Sequence, residues 1–239
     1  MANNYFKFRQ FSINQSGNVF RVGTDGVLLG AWADTAGAST VLDIGTGTGL
    51  LALMMAQRIP DGFITAIEPD EESYRCATSN IQSSGWSSRI EVINNSLKDF
   101  AHDSRGQFDL IISNPPYFSE SLKNPDAQKA GFRHSNSLPH EEIISFARKE
   151  LCDNGRLSLI LPYAEGNVFI AGAAIAGLYC TRMTKVRSLQ GSPVKRLLLE
   201  FSRKNHSPVV KILTTGHPDH GGYTMEYKEL TKDFYPGFG

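Results

Sequence analysis

Val41-Leu42-Asp43-Ile44-Gly45-Thr46-Gly47-Thr48-Gly49 is the stretch on which the reading of the fold turns. A short apolar run that empties into alternating glycines reads as a buried strand delivered into a tight turn. Glycines permit positive φ there and let a ligand approach the backbone closely. Strong helix formers follow at Leu50–Arg58. In an open parallel sheet such strand–turn–helix joints lie beyond the carboxyl ends of the strands, where ligands bind. The spacing is Gly-x-Gly-x-Gly and not Gly-x-Gly-x-x-Gly, and Asp43 precedes it. A carboxylate at that place repels a pyrophosphate and suits an ammonium group and a sulfonium cation. The expected ligand is therefore S-adenosylmethionine, cradled by Gly45, Thr46, Gly47 and Gly49. Glu68 follows Gly45 by 23 residues, at the end of the next strand. An acid at that offset accepts hydrogen bonds from ribose hydroxyls. Asn95 and Ser96 lie just past a third strand, where the adenine is expected. The plainer alternatives are a turn-capping carboxylate for Asp43 and a surface acid for Glu68.

Outward from this joint, strand-like and helix-like segments alternate. Strands are expected at 63–67, 90–93, 110–112 and 157–161, and helices at 71–82 and 168–176. Pro139-His140-Glu141-Glu142 places a proline and acids where a helix begins. That helix is expected to run to about Cys152 and to stop at Asn154-Gly155. Residues 180–189 and 196–201 read as two long strands joined by Gln190-Gly191-Ser192-Pro193. Repeated strand–helix units predict a parallel sheet wound on both faces, and two final strands without a helix between them predict an antiparallel hairpin. The expected fold is α/β and Rossmann-like, a mostly parallel doubly wound sheet with a reversed edge strand in an antiparallel C-terminal hairpin. One domain is expected: an extension at 1–36, the core at 37–205, and a loosely attached tail at 206–239. The polar stretch 124–138 suits a lid.

A second motif lies beside the first in this scheme. Phe108-Asp109-Leu110-Ile111-Ile112-Ser113 reads as a buried strand and leads into Asn114-Pro115-Pro116-Tyr117. The exocyclic amine of a base is a poor nucleophile, because its lone pair is delocalised into the ring. The side-chain oxygen of Asn114 and the backbone carbonyl of Pro115 can accept its two hydrogens, favouring a tetrahedral nitrogen aimed at a methyl donor. Proline's fixed φ holds that carbonyl still. Tyr117 can stack on the base, at about 1–3 kcal/mol for such contacts, and Pro116 and Phe118 wall the pocket. The competing reading is an Asn-Pro turn with an exposed tyrosine.

Bulk properties narrow the classes. The 239 residues are 41% hydrophobic and 20% charged, which allows a proper core and argues against disorder. No run approaches the length of a membrane span, and the start carries no apolar signal core. Cys76, Cys152 and Cys180 have no ligand-like spacing, so neither a disulfide scaffold nor a metal site is expected and a cytoplasmic location is. The 24 basic and 24 acidic residues cancel, against a generic nucleic-acid coat. Their distribution is uneven. Residues 1–24 hold Lys7, Arg9 and Arg21 with no acid, and residues 182–211 hold eight cations against Glu200 alone. Such segments suit a phosphate backbone if they share a face; otherwise they are solvated edges.

On its two motifs the chain resembles class I S-adenosylmethionine-dependent amino-methyltransferases. Phe6-Lys7-Phe8-Arg9-Gln10-Phe11, Val22-Gly23-Thr24-Asp25-Gly26-Val27-Leu28-Leu29-Gly30-Ala31-Trp32, Arg133-His134-Ser135 and Leu230-Thr231-Lys232-Asp233-Phe234-Tyr235 extend the likeness. With these, the chain is similar over nearly its whole length to the bacterial family that methylates N6 of adenosine 37 in tRNA1(Val). The resemblance implies that Thr24 and Asp25 line the donor's methionine, with Asn114 shared between the two pockets. Read from the residues, Thr24 or Asp25 is equally an N-cap for a helix at 27–32. Arg133 and His134 are expected to contact phosphate or base, or to be solvated, and Lys195 and Arg196 to meet phosphates. Many such enzymes carry an Asp where this chain has Asn95-Ser96. His217-Pro218-Asp219-His220 reads as an irregular turn, so no metal is expected there. The expected partner is tRNA, with no membrane, for a monomer. Rival readings are methylation of a glutamine amide in a release factor or ribosomal protein, of DNA adenine, or a non-catalytic RNA-binding module. Glutamine methylation usually comes with an extra helical domain ahead of the donor motif, and DNA methylation with a sequence-reading domain.

Overall fold

A computed structural model describes residues 4–17, 19–103, 106–117, 138–217 and 221–238. The chain opens with a hairpin of β1 (Tyr5–Lys7) and β2 (Ser12–Asn14), followed by α1 (Thr24–Trp32). Then come β3 (Thr40–Ile44), α2 (Leu50–Arg58), β4 (Phe63–Ile67), α3 (Glu71–Gln82), β5 (Ile90–Ile93), α4 (Leu97–Asp103) and β6 (Phe108–Ser113). The second half runs α5 (His140–Glu150), β7 (Leu151–Pro162), α6 (Tyr163–Ile175), β8 (Tyr179–Arg187), β9 (Arg196–Ser202), β10 (Val209–Thr214) and α7 (Met225–Thr231). Eight strands form one sheet in the order β10-β8-β9-β7-β6-β3-β4-β5.

From β7 to β5 the neighbours are parallel, as the alternating strands and helices predict. β9 runs against both β7 and β8, which gives the expected hairpin. The reversed strand is not at the edge, however: β8 lies outside it and β10 adds a further parallel strand. Successive strand residues face opposite ways, and each face has its own core. Val41, Leu110 and Ile112 join α1, α2, the β1–β2 hairpin and the C-terminal segment on one side. Leu42, Ile111, Leu197 and Leu199 join α5 and α6 on the other.

Three further expectations need correction. Asn154-Gly155 does not stop a helix. α5 ends at Glu150, β7 begins at once, and the pair lies where the β6–β7 register jumps from Phe108↔Leu151 to Leu110↔Arg156. A Cβ on Gly155 would stand 2.7 Å from the Phe108 carbonyl oxygen, so this bulge requires a glycine. The segment 206–239 is not a loose tail, since it supplies β10 and α7 and buries Tyr227 and Phe234 completely or nearly so. The Arg9 amide donates to the Phe234 carbonyl and so ties the two ends of the chain together. Finally, α1 begins at Thr24 with Gly23 at its N-cap, and no side chain caps it. Residues 124–137 of the expected lid lie outside the described residues. Among the described residues no helix is long and apolar enough to cross a membrane.

Candidate active site

The glycine turn leaves β3 and enters α2. Gly45, Gly47 and Gly49 have φ of 69°, 58° and 83°, values that side-chain-bearing residues rarely adopt. The amides of Gly45 and Thr46 both donate to the Ile67 carbonyl, hanging the turn on the end of β4. Asp43 lies wholly buried under it. Its Oδ2 accepts from the Thr46 hydroxyl at 2.5 Å and from the Ala52 amide at 3.1 Å. Its Oδ1 has no partner among the described residues. Burial raises the Asp43 pKa to about 7, against the pull of those two hydrogen bonds. At the end of β4, Glu68 accepts from the Gly47 amide at 2.9 Å and from the Asp70 amide at 3.0 Å, and burial raises its pKa. Both acids thus shape the turn, which the capping alternative for Asp43 anticipates. The alternative of a surface acid for Glu68 does not hold, because it is buried.

Over the turn there is room. A Cβ built on Gly45 or Gly47 meets nothing within 4 Å. Open space over a positive-φ cradle, an unpartnered carboxylate oxygen beneath it and a buried acid at the next strand end fit a cationic amino-acid nucleoside. Ser96 is differently employed. It precedes α4, accepts from the Asp99 amide at 3.1 Å and donates to the Asp99 carboxylate at 2.6 Å, a reciprocal cap that occupies its hydroxyl.

Two asparagines that sequence reading missed brace this region. Asn94 donates to the carbonyls of Glu68 and Pro69, tying β5 to the end of β4. Asn80 on α3 donates to the carbonyls of Asn14 and Thr48 and accepts from the Asn14 amide at 2.8 Å. It therefore joins the N-terminal hairpin to the glycine turn. An asparagine inside an otherwise helical run is the one signal the sequence offers for such a brace.

The second motif emerges alongside the first. β3 and β6 are adjacent, with Asp43 opposite Ile112, and the Ser113 hydroxyl donates to the Ile44 carbonyl at 2.8 Å. The strand order departs from β3 in both directions, to β4 and to β6, so the motifs meet where the winding reverses. Pro115 is buried, Pro116 exposed, and Asn114 and Tyr117 half-buried. The Tyr117 hydroxyl lies 2.8 Å from Asp25 Oδ2 and 3.0 Å from Asn114 Oδ1. Arg196 donates from Nε to the same Asp25 oxygen at 2.8 Å, and its guanidinium stands 4.7 Å from the centre of the Tyr117 ring. Burial, reinforced by Asp25, pushes the Tyr117 pKa far above its ordinary value, so the phenol keeps its proton. Burial alone would lower the Arg196 pKa, but Asp25 outweighs it and the net shift is upward.

Asp25, expected against the donor, and Arg196, expected against phosphate, pair with each other beside Tyr117. Thr24 and Lys195 are exposed. Phe118, Arg133 and His134 lie outside the described residues, as do Pro218, Asp219 and His220.

Comparison with known proteins bears on this geometry. The model of the methyltransferase small domain matches residues 18–166. A tRNA1(Val) (adenine(37)-N6)-methyltransferase of Bacteroides thetaiotaomicron is 42% identical over 98% of each chain. One of Trichodesmium erythraeum with the same description is 40% identical over 98% of this chain and 99% of its own. Among solved structures, a predicted O-methyltransferase of Agrobacterium tumefaciens superposes with a TM-score of 0.67 at 21% identity, covering 88% of this chain and 96% of its own. A ribosomal protein L11 methylase of Lactobacillus delbrueckii gives 0.57 at 20% identity, covering 82% and 96%. At those identities the structures speak for the fold alone.

Proposed function

The chain belongs to the tRNA1(Val) (adenine(37)-N6)-methyltransferases, built on the methyltransferase small domain, and from that premise we propose that it methylates N6 of adenosine 37 in tRNA1(Val). The methyl donor in this reading is S-adenosylmethionine. The observation that carries it is the junction of the two motifs, the glycine turn after β3 and Asn114-Pro115-Pro116-Tyr117 after β6, at neighbouring strand ends.

When bound, S-adenosylmethionine supplies a methyl group on a positively charged sulfur, activated without help from a protein nucleophile. Gly45, Thr46, Gly47 and Gly49 would hold it, with Glu68 at its ribose and the buried, unpartnered Oδ1 of Asp43 beneath the turn. Each Glu68 oxygen already accepts one backbone amide and retains a lone pair for a hydroxyl. On the acceptor side, the oxygen of Asn114 and the carbonyl of Pro115 take the amine hydrogens and localise the nitrogen lone pair. That is positioning and electrostatic preorganisation, and no side chain has to remove a proton before transfer. Tyr117 offers its ring to the adenine. An anticodon-loop base is already single-stranded, so extruding it costs less than the few kcal/mol a duplex would require.

The test is direct. Protein is incubated with labelled S-adenosylmethionine and bulk tRNA from a strain lacking this gene, and the RNA is digested to nucleosides. The expected product is labelled N6-methyladenosine, traced to a valine tRNA. Label absent from RNA but present in protein glutamine would replace this reading with amide methylation.

A further inference from the structure

We propose that Asp25, held in place by Arg196, is a positioning residue that keeps the Asn114 oxygen open for the substrate amine by drawing the Tyr117 hydroxyl proton to itself. The inference rests on the adenine-N6 reading above.

A phenol has a single proton to donate. The Tyr117 oxygen nevertheless lies within hydrogen-bond distance of two acceptors, Asp25 Oδ2 at 2.8 Å and Asn114 Oδ1 at 3.0 Å. If the proton points at Asn114, it occupies the acceptor that the amine needs. A carboxylate wins the competition, because hydrogen bonds to a charged acceptor are roughly twice as strong as neutral ones. The phenol stays protonated at working pH, so the competition never lapses through ionisation. Arg196 serves the same end. Its Nε fixes the very oxygen that faces the phenol, and its guanidinium lies over the Tyr117 ring, which steadies the ring as well as the carboxylate. The pair is about three-quarters buried, with side-chain exposures of 25% for Asp25 and 23% for Arg196. Ion pairs so placed carry a desolvation cost that stability alone rarely repays. Three elements distant in sequence converge here: the first turn of α1, the strap after β6 and the start of β9.

The test is a double-mutant cycle between Asp25→Ala and Tyr117→Phe, read in single-turnover rate on tRNA and in S-adenosylmethionine affinity by calorimetry. Asp25→Ala in the wild-type background is expected to slow methyl transfer about tenfold, the worth of one hydrogen bond that must be broken first. Its donor affinity is expected to stay within about twofold, the margin within which uncoupled sites behave independently. Tyr117→Phe has its own cost, but it removes the competing proton. Adding Asp25→Ala to that background is therefore expected to cost less than about threefold, a non-additivity only coupled residues show. Where Asp25→Ala does not fold, Asp25→Asn makes the same comparison with a weaker neutral acceptor. Equal losses in both backgrounds, or a donor affinity that falls with Asp25→Ala, would overturn the proposal. Wild-type protein that makes no N6-methyladenosine would instead overturn the reading beneath it.

Discussion

At the scale of single residues, Asn114 and Asp43 carry opposite kinds of expectation. Asn114→Ala removes an acceptor that acts on the developing charge at nitrogen. Losses of that kind run to about 10²–10³ in turnover, and donor affinity is expected to hold because the contact belongs to the acceptor. Rapid-quench turnover beside a donor titration checks this, and unchanged turnover would sink the mechanism. Asp43 concerns stability. Its folded-state pKa of about 7 lies above the ordinary value of 3.8, so the folded protein binds this proton more tightly than the unfolded chain does. Its contribution is therefore most favourable below about pH 4 and is lost as pH rises through about 7. Asp43→Asn cannot ionise, so the variant is expected to gain on wild type across that window, by an amount on the order of a few kcal/mol. Urea midpoints of both proteins at pH 4.5 and 7.5 give the comparison. The two motifs are legible in the sequence because each is a continuous run whose backbone demands are local. The Asp25–Arg196 pair is not, since its members are 171 residues apart and only the packing of α1 beside the sheet brings them together.

At the scale of elements, legibility follows the strength of the local pattern. β4, α2, α3 and β5 fall where runs of strand or helix formers predict them, because each run is bounded by clear breakers. β1 and β2 have three residues each, too short to show a period, although Ile13 within β2 and Phe8 and Phe11 between the strands are buried. β10 shows no inside–outside alternation, as Val209, Val210 and Ile212 are all exposed on the sheet's edge. Asn154-Gly155 reads as a helix stop because turn and bulge draw on the same residues. The C-terminal segment nonetheless belongs to the core, and Phe234→Ala is expected to cost about 3–5 kcal/mol in denaturant unfolding. A loss under about 1 kcal/mol would return the segment to the status of a tail. Asn80→Ala tests the brace between hairpin and glycine turn. Leaving the Thr48 carbonyl without its buried donor costs about 1–3 kcal/mol. Because Thr48 belongs to the glycine turn, donor affinity is expected to weaken together with stability. Lost stability with unaltered donor affinity would show that the brace serves the fold alone.

At the scale of the whole molecule, the question is where an RNA of many charges meets a protein of no net charge. The eight cations between 182 and 211 read as one basic surface, but the fold turns three of them toward carboxylates. Arg182 pairs with Glu200, Arg196 with Asp25 and Arg203 with Asp153. Lys195 remains exposed, one residue before Arg196, and Arg21 is exposed four residues before Asp25. Chain connectivity therefore sets one exposed cation on each stretch of backbone that supplies the ion pair beside Tyr117. A nucleotide whose base reaches Tyr117 brings its own phosphate and those of its neighbours to the same mouth. Arg21→Glu combined with Lys195→Glu is expected to weaken tRNA binding and to lower the slope of log affinity against log salt by about 1–2. Turnover at saturating tRNA and donor affinity are expected to stay near wild type, because neither side chain joins the Asp25 network. The measurement is a salt series of tRNA affinities for both proteins. An unaltered slope would mean that the phosphates cross some other face, and that the uneven charge of the chain reflects internal pairing.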